Sequence, residues 1–232
     1  MSDIVDWFLR IPPVTRFYMG GAVLTTVLCW ANVLSPFSLF FSTKKVLKGE
    51  VWRLLSSFFF FSQEPDLDFL FHMYFLLSYS RGLEEASFRG RSADYLFMLL
   101  FGGALIVLAA SYLSLTFLSP CLTFMMVYVW SRRNEWQQIL LFGVVQLRAP
   151  WLPWVMVLFS LSLGGSIAAD LVGIAVGHLY YYLQDVYPNM TPSRRRLLKT
   201  PAVLRRLFRE QQQAPHVAEM ADELHRRLNA DQ

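Results

Sequence analysis

This sequence predicts an all-α membrane protein of six transmembrane helices, with both termini in the cytosol. Three observations lead there. Of its 232 residues, 55% are hydrophobic and 16% aromatic, and the mean hydropathy is +0.37, a composition foreign to soluble domains. Six apolar windows approach the ~20 residues that cross a bilayer as a helix. The basic residues fall unevenly on the two sides of those windows.

In chain order the windows are Phe17 to Leu34, Leu67 to Leu83, Tyr95 to Leu113, Leu115 to Trp130, Trp151 to Gly164 and Ile167 to Tyr182. Before the first, Met1 to Arg16 carries Asp3, Asp6 and the Pro12-Pro13 pair, so no cleavable signal peptide is expected and the first span must direct insertion. The fifth is short. Its 14 residues reach roughly 21 Å as a straight helix, against a hydrocarbon core of about 30 Å. Either the window is drawn too tightly or the bilayer thins beside it.

Six spans place both termini on one side. That side receives 17 of the 21 Lys and Arg residues, and the other receives only Lys44, Lys45, Lys48 and Arg53. By the positive-inside bias the termini are cytosolic. Residues 1–188 form the expected membrane domain, and 189–232 a basic cytosolic tail, partly helical or disordered, with HVAEMADELHRRLNADQ as a polar helix. The tail is either a solvated extension or a docking arm for a cytosolic partner or anionic headgroups. Cys29 and Cys121 lie in apolar stretches and read as buried packing residues, so neither a disulfide framework nor a metal site follows from them.

Phe37 to Phe61 is the long loop on the far side, and it is hardly hydrophilic. Val46, Leu47, Val51, Trp52, Leu54 and Leu55 alternate with Lys44, Lys45, Lys48, Glu50 and Arg53, as expected of a segment lying in the interface. Trp52 has the chemistry of an interfacial anchor. Arg53 must snorkel to headgroups or have its donors satisfied within the protein, with Glu50 as candidate partner. Lipid anchoring and loop stapling are both open for the pair. In the sixth window, Gly173 and Gly177 share one helix face and admit a neighbouring helix closely. Asp170 and His178 flank them. A carboxylate at membrane depth is a functional candidate, unless it sits at the end of the span where water reaches it.

Taken together these residues resemble the derlin family, the rhomboid-like membrane proteins of the endoplasmic reticulum. The resemblance rests on MSDIVDWFLRIPPVTR at the start, Trp52-Arg53, GRSADYLFMLLF from Gly90 to Phe101, LPW at Leu152 to Trp154, GGS at Gly164 to Ser166, GIAVGHLY from Gly173 to Tyr180, and TPAVL after Lys199. It implies a rhomboid-like fold of six transmembrane helices without catalysis. Active rhomboids use a Gly-x-Ser-Gly nucleophile in the fourth span and a histidine three residues before the glycine pair of the sixth. Here that second position is Asp170, which lacks the ring nitrogen that shuttles a serine proton. Ser119 falls at the nucleophile position, between Leu118 and Pro120, where neither glycine is present and Pro120 has no amide hydrogen to give an oxyanion. His72 falls where rhomboids place an oxyanion-hole asparagine; it reads as a core or cavity histidine, and activation of Ser119 by His72 would need the two in hydrogen-bond reach.

The resemblance further implies a part in endoplasmic-reticulum-associated degradation: moving misfolded proteins from lumen or membrane to cytosol. A thinned bilayer and a hydrophilic lateral cavity, with Asp170, His72, Ser160 and Ser162 as polar groups, would lower the barrier for a passing chain. Two alternatives stand beside it: a scaffold or chaperone that recognises misfolded transmembrane segments without conducting them, and an active intramembrane serine protease. The chain carries no phosphate-cradling loop, cofactor motif or metal spacing, so no cofactor is expected and pulling must be external. The implied partners are misfolded substrates, an endoplasmic-reticulum ubiquitin-ligase complex, the valosin-containing AAA ATPase, membrane lipids and further copies of the chain, with no nucleic acid. The family's ATPase-recruiting tail box has a Phe-x-Gly-x-Gly core, and no glycine follows Gly177 here.

Overall fold

The computed structural model describes residues 2–141, 145–190 and 197–208. Its helices run α1 Ser2–Leu9, α2 Pro13–Trp30, α3 Pro36–Leu39, α4 Thr43–Leu47, α5 Arg53–Phe59, α6 Leu67–Phe75, α7 Ser92–Leu113 and α8 Ser119–Arg133. A hairpin of β1 Gln138–Leu141 and β2 Val145–Arg148 follows, and then α9 Leu152–Ser162, α10 Ile167–Tyr181, α11 Tyr187–Met190 and α12 Ala202–Leu207. The windows read from sequence therefore each carry a helix: α2, α6, α7, α8, α9 and α10. Among the described residues, α7 is the one helix that is by itself long and apolar enough to cross a membrane.

Three features differ from the sequence reading, each for a local reason. The second helix does not end at Leu83: α6 passes into two wide turns, Leu76–Ser80 and Leu83–Ser87, of π-helical geometry. The fourth does not begin at Leu115. Ser114 takes a left-handed conformation (φ 55°) that stops α7, and α8 starts only where Pro120 suits the first turn. The all-α expectation also omits the antiparallel hairpin, in which Gln138 pairs with Arg148 and Leu141 with Val145. The aliphatic runs Ile139 to Leu141 and Val145 to Leu147, separated by a short connection, suit such a ribbon. The polar helix expected near the carboxyl end lies outside the described residues.

α8 is the hub. Every residue from Cys121 to Ser131 is buried, so the helix has no outward face and must be enclosed on all sides. Around it the outer helices turn apolar side chains outward: Phe17, Leu24 and Trp30 on α2, Leu100 and Leu108 on α7, Leu158 and Leu161 on α9, and Leu171 and Leu179 on α10 are exposed. An apolar exterior around a packed interior suits a lipid solvent rather than water.

Polar contacts tie the helices together near the starts of α2 and α7. Glu84, buried to 3% exposure, accepts from the Val14 amide at 3.2 Å, the Thr15 amide at 2.8 Å and the Thr15 hydroxyl at 2.8 Å. These are orphan donors of the first turn of α2, whose own cap residue, Pro12, offers no side-chain bond. Thr15 continues through Ser80 (2.8 Å) to the Tyr95 hydroxyl (2.6 Å), tying α2, α6 and α7 into one chain of bonds. Further along the chain, Thr200 donates to Asp94 at 2.6 Å, which holds the residues after α11 against α7.

Candidate functional site

The loop between α2 and α6 folds as three short helices organised by Arg53. Only 4% exposed, Arg53 donates through Nε to Glu50 Oε2 at 2.6 Å and through Nη1 to the carbonyl oxygens of Phe37 (2.9 Å) and Phe40 (3.0 Å). Its guanidinium also lies over the Phe40 ring, 4.9 Å from the centroid. A planar fork with five donors suits this task, since it reaches the end of α3 and the loop before α5 together. Trp52, the adjoining residue, is 55% exposed. The two residues thus face opposite surroundings: one inward to carbonyls, the other outward with an amphipathic ring.

Gly173 and Gly177 line the contact of α10 with α8. A Cβ at Gly173 would overlap the Cys121 carbonyl oxygen and stand 2.7 Å from the Phe124 Cβ. At Gly177 it would stand 3.0 Å from the Tyr128 Cβ and 3.1 Å from the Met125 carbonyl oxygen. One helix therefore rides directly on the backbone of the other. His178, next along, is a partner of Tyr128: the hydroxyl and Nδ1 lie 2.7 Å apart.

The three positions compared with rhomboids sit near this seam but in different bonding. Ser119 is fully buried at the start of α8, and its hydroxyl donates to the Phe60 carbonyl, which commits its single proton away from any base. His72 on α6 packs on the Phe61 ring at 5.4 Å and lines a small cavity between α6, α8 and α9, of about 20 Å³, that Thr123 and Ser160 also line. Asp170 lies one turn into α10, yet it is only 1% exposed, so water does not reach it as it would at a frayed end. Neither of its carboxylate oxygens has a hydrogen-bond partner. The Ser160 hydroxyl lies beside it as a donor and the His72 ring as a positive charge. Ser162, grouped with these from sequence, is exposed and bonds to the Phe159 carbonyl of its own helix.

Two features escaped the sequence reading. Phe159 closes the small cavity by packing on Phe71 (5.0 Å, edge-on) and Phe75 (6.4 Å) across from α6, and no local pattern distinguishes it from other apolar residues of α9. Glu84 was not singled out, because it lies just past the second apolar window in a polar stretch with Arg81 and Glu85. A larger cavity of about 410 Å³ lies beyond the ends of α7, α8 and α10. Its charges are already matched: Arg133 clamps Asp185 through contacts of 3.0 to 3.1 Å, and Arg91 faces Asp94 at 3.6 Å.

Comparison with known proteins places this geometry in context. The Der1-like family profile matches residues 11–202. Derlin-2.2 of Arabidopsis thaliana is 43% identical over 220 residues, covering 90% of this chain and 89% of its own. The probable derlin-2 homolog of Dictyostelium discoideum is 44% identical over 216 residues, covering 90% and 84%, and human Derlin-1 is 37% identical over 209 residues, covering 89% and 83%.

Proposed function

The chain belongs to the Der1-like family, and from that membership we propose that it is a non-catalytic factor of endoplasmic-reticulum-associated degradation that helps misfolded proteins leave the lumen and membrane for the cytosol. It spans the endoplasmic reticulum membrane six times through α2, α6, α7, α8, α9 and α10, with both termini cytosolic and the Arg53 loop lumenal. The observation that carries this reading is shortness. At 1.5 Å per residue, α8 and α9 reach roughly 23 and 17 Å, well below a hydrocarbon core of about 30 Å. Lipid beside α9, whose Leu158 and Leu161 face outward, must thin, which shortens the apolar path of a substrate. The Arg53 staple and the exposed Trp52 hold the lumenal rim, and the seam between α6 and α9 is the lateral way in for transmembrane substrates.

Energy comes from outside the chain, from the valosin-containing ATPase, recruited through an adaptor or a ubiquitin-ligase complex because the tail lacks glycine altogether. The test is substrate turnover in cells lacking the native chain. Trp52→Ala combined with Arg53→Ala is expected to lengthen the half-life of a misfolded membrane substrate toward that of the empty cells at unchanged abundance. Normal turnover by the double variant would overturn the reading.

One observation favours a second reading, a scaffold that recognises misfolded spans without conducting them: the cavity between α6, α8 and α9 is closed to the size of about one water. Such a scaffold would crosslink to substrates while leaving their export rate unchanged when removed. Proteolysis is disfavoured by the Ser119 to Phe60 bond. A fluorophosphonate probe is accordingly expected to leave Ser119 unlabelled, and labelling that Ser119→Ala abolishes would reinstate the protease.

A further inference from the structure

Thr200 holds the residues after α11 to the membrane domain. Its hydroxyl donates to Asp94 Oδ1 at 2.6 Å across 106 positions of chain. Among the described residues this is the hydrogen bond that joins 197–208 to another element; those of Arg205, to the Pro201 and Thr200 carbonyl oxygens, stay inside the segment. Leu198 and Phe208 add partly buried apolar contacts on either side. Thr200 is itself half-buried, Lys199 before it is exposed, and Leu198 to Pro201 has neither helix nor strand pairing. Pro201 follows directly, with φ −56° and ψ 144°, an extended polyproline geometry. A threonine hydroxyl in an extended stretch at a partly open surface, with proline next in the chain, is the form in which proline-directed protein kinases take their substrates.

We propose that Thr200 is a phosphorylation site of a cytosolic proline-directed kinase, and that its phosphate releases 197–208 from α7. The inference rests on the cytosolic placement of this segment in the function proposed above. In the transfer a bond forms between Thr200 Oγ1 and the γ-phosphorus of a nucleoside triphosphate, and the bond from that phosphorus to the β-γ bridging oxygen breaks. The hydroxyl proton passes to the kinase's base and the nucleoside diphosphate leaves. The proton that Thr200 gave to Asp94 is then gone, and a group of charge about −1.5 to −2 stands against a carboxylate. The hydrogen bond cannot form, and the two anions repel. Arg91 offers little relief, since it already faces the other oxygen of Asp94 at 3.6 Å. Arg205 is better placed: its Nη2 donates to the Thr200 carbonyl oxygen at 3.0 Å, so its guanidinium moves with the segment and pairs with the phosphate after release. The modified segment meets its new charge internally and loses its tie to α7.

The experiment treats sealed endoplasmic-reticulum vesicles carrying the full-length protein, cytosolic face outward, with a proline-directed kinase and magnesium ATP, and reads Thr200 by mass spectrometry. Phosphate at Thr200 is expected, and Pro201→Ala is expected to abolish it. In the protein then purified, amide hydrogen exchange in α12 is expected to rise about tenfold on phosphorylation, equivalent to roughly 1.4 kcal/mol. Asp94→Asn keeps an acceptor for the unmodified hydroxyl and removes the opposing charge, so its α12 should gain much less exchange when phosphorylated. Unchanged α12 exchange in the phosphorylated native chain overturns the proposal, as does an equal rise in Asp94→Asn, which would mark bulk rather than charge. Failure to label Thr200 in both sealed and detergent-opened vesicles overturns this inference alone. Labelling confined to opened vesicles would put the segment in the lumen and overturn it together with the topology on which it rests.

Discussion

Gly173→Ala is expected to destabilise the protein by about 3 kcal/mol, at the upper end of overpacking effects, and Gly173→Val by more. The added Cβ meets backbone, the Cys121 carbonyl oxygen, and the Phe124 Cβ directly attached to it. Neither can rotate away, so α10 must lift from α8 along the seam that Gly177 shares. α8 is buried along its whole inner length, and lifting one neighbour loosens its contacts with the others. For a chain of this size, about 3 kcal/mol lowers the midpoint of thermal unfolding by roughly 6 to 12 °C, measurable on detergent-solubilised protein. Two other glycines calibrate the result. At Gly102 the clash is with the Met125 thioether, a side chain that can swing, and at Gly103 the nearest atom is the Phe58 ring edge at 3.6 Å. The order Gly173→Ala, then Gly102→Ala, then a nearly neutral Gly103→Ala is expected, and a Gly173→Ala midpoint equal to that of Gly103→Ala would count against backbone contact at the seam.

That seam was legible because its cause is local: two glycines four residues apart make one bare strip on one helix, whichever helix covers it. The same holds for the apolar windows, whose existence depends on composition over a single stretch. Arg53 was half legible. Its demand for partners followed from its place in a greasy loop, and Glu50, three residues earlier, was in reach. The Phe37 and Phe40 carbonyls were not identifiable, because backbone oxygens leave no mark in a sequence. Asp170 shows the same division. The residue stands out from its own span, whereas Ser160 and His72 come beside it from helices that are neighbours only after folding. The hairpin between α8 and α9 was missed because short aliphatic runs do not declare whether they pair with each other or enter lipid.

Glu84→Ala is expected to destabilise by about 2 to 6 kcal/mol, the sum for leaving two buried backbone amides without an acceptor at roughly 1 to 3 kcal/mol each. The amides of Val14 and Thr15 open α2 and point along its axis, so the carboxylate that receives them also meets the positive end of the helix dipole. Glu84→Gln separates the two contributions. It keeps one acceptor oxygen and the shape of the side chain, but it removes the charge and turns an NH₂ toward groups that are themselves donors. An intermediate loss is therefore expected, with the unfolding midpoint between those of the native chain and Glu84→Ala. Thr15→Val provides the independent check, since it removes the hydroxyl bonds to Glu84 and Ser80 while leaving the backbone amides bonded to Glu84. Its loss should be the smallest of the three. A Glu84→Ala protein as stable as the native chain would mean that α2 docks through its apolar face alone. The coupling of α2, α6 and α7 through Thr15, Ser80 and Tyr95 would then be incidental to the fold.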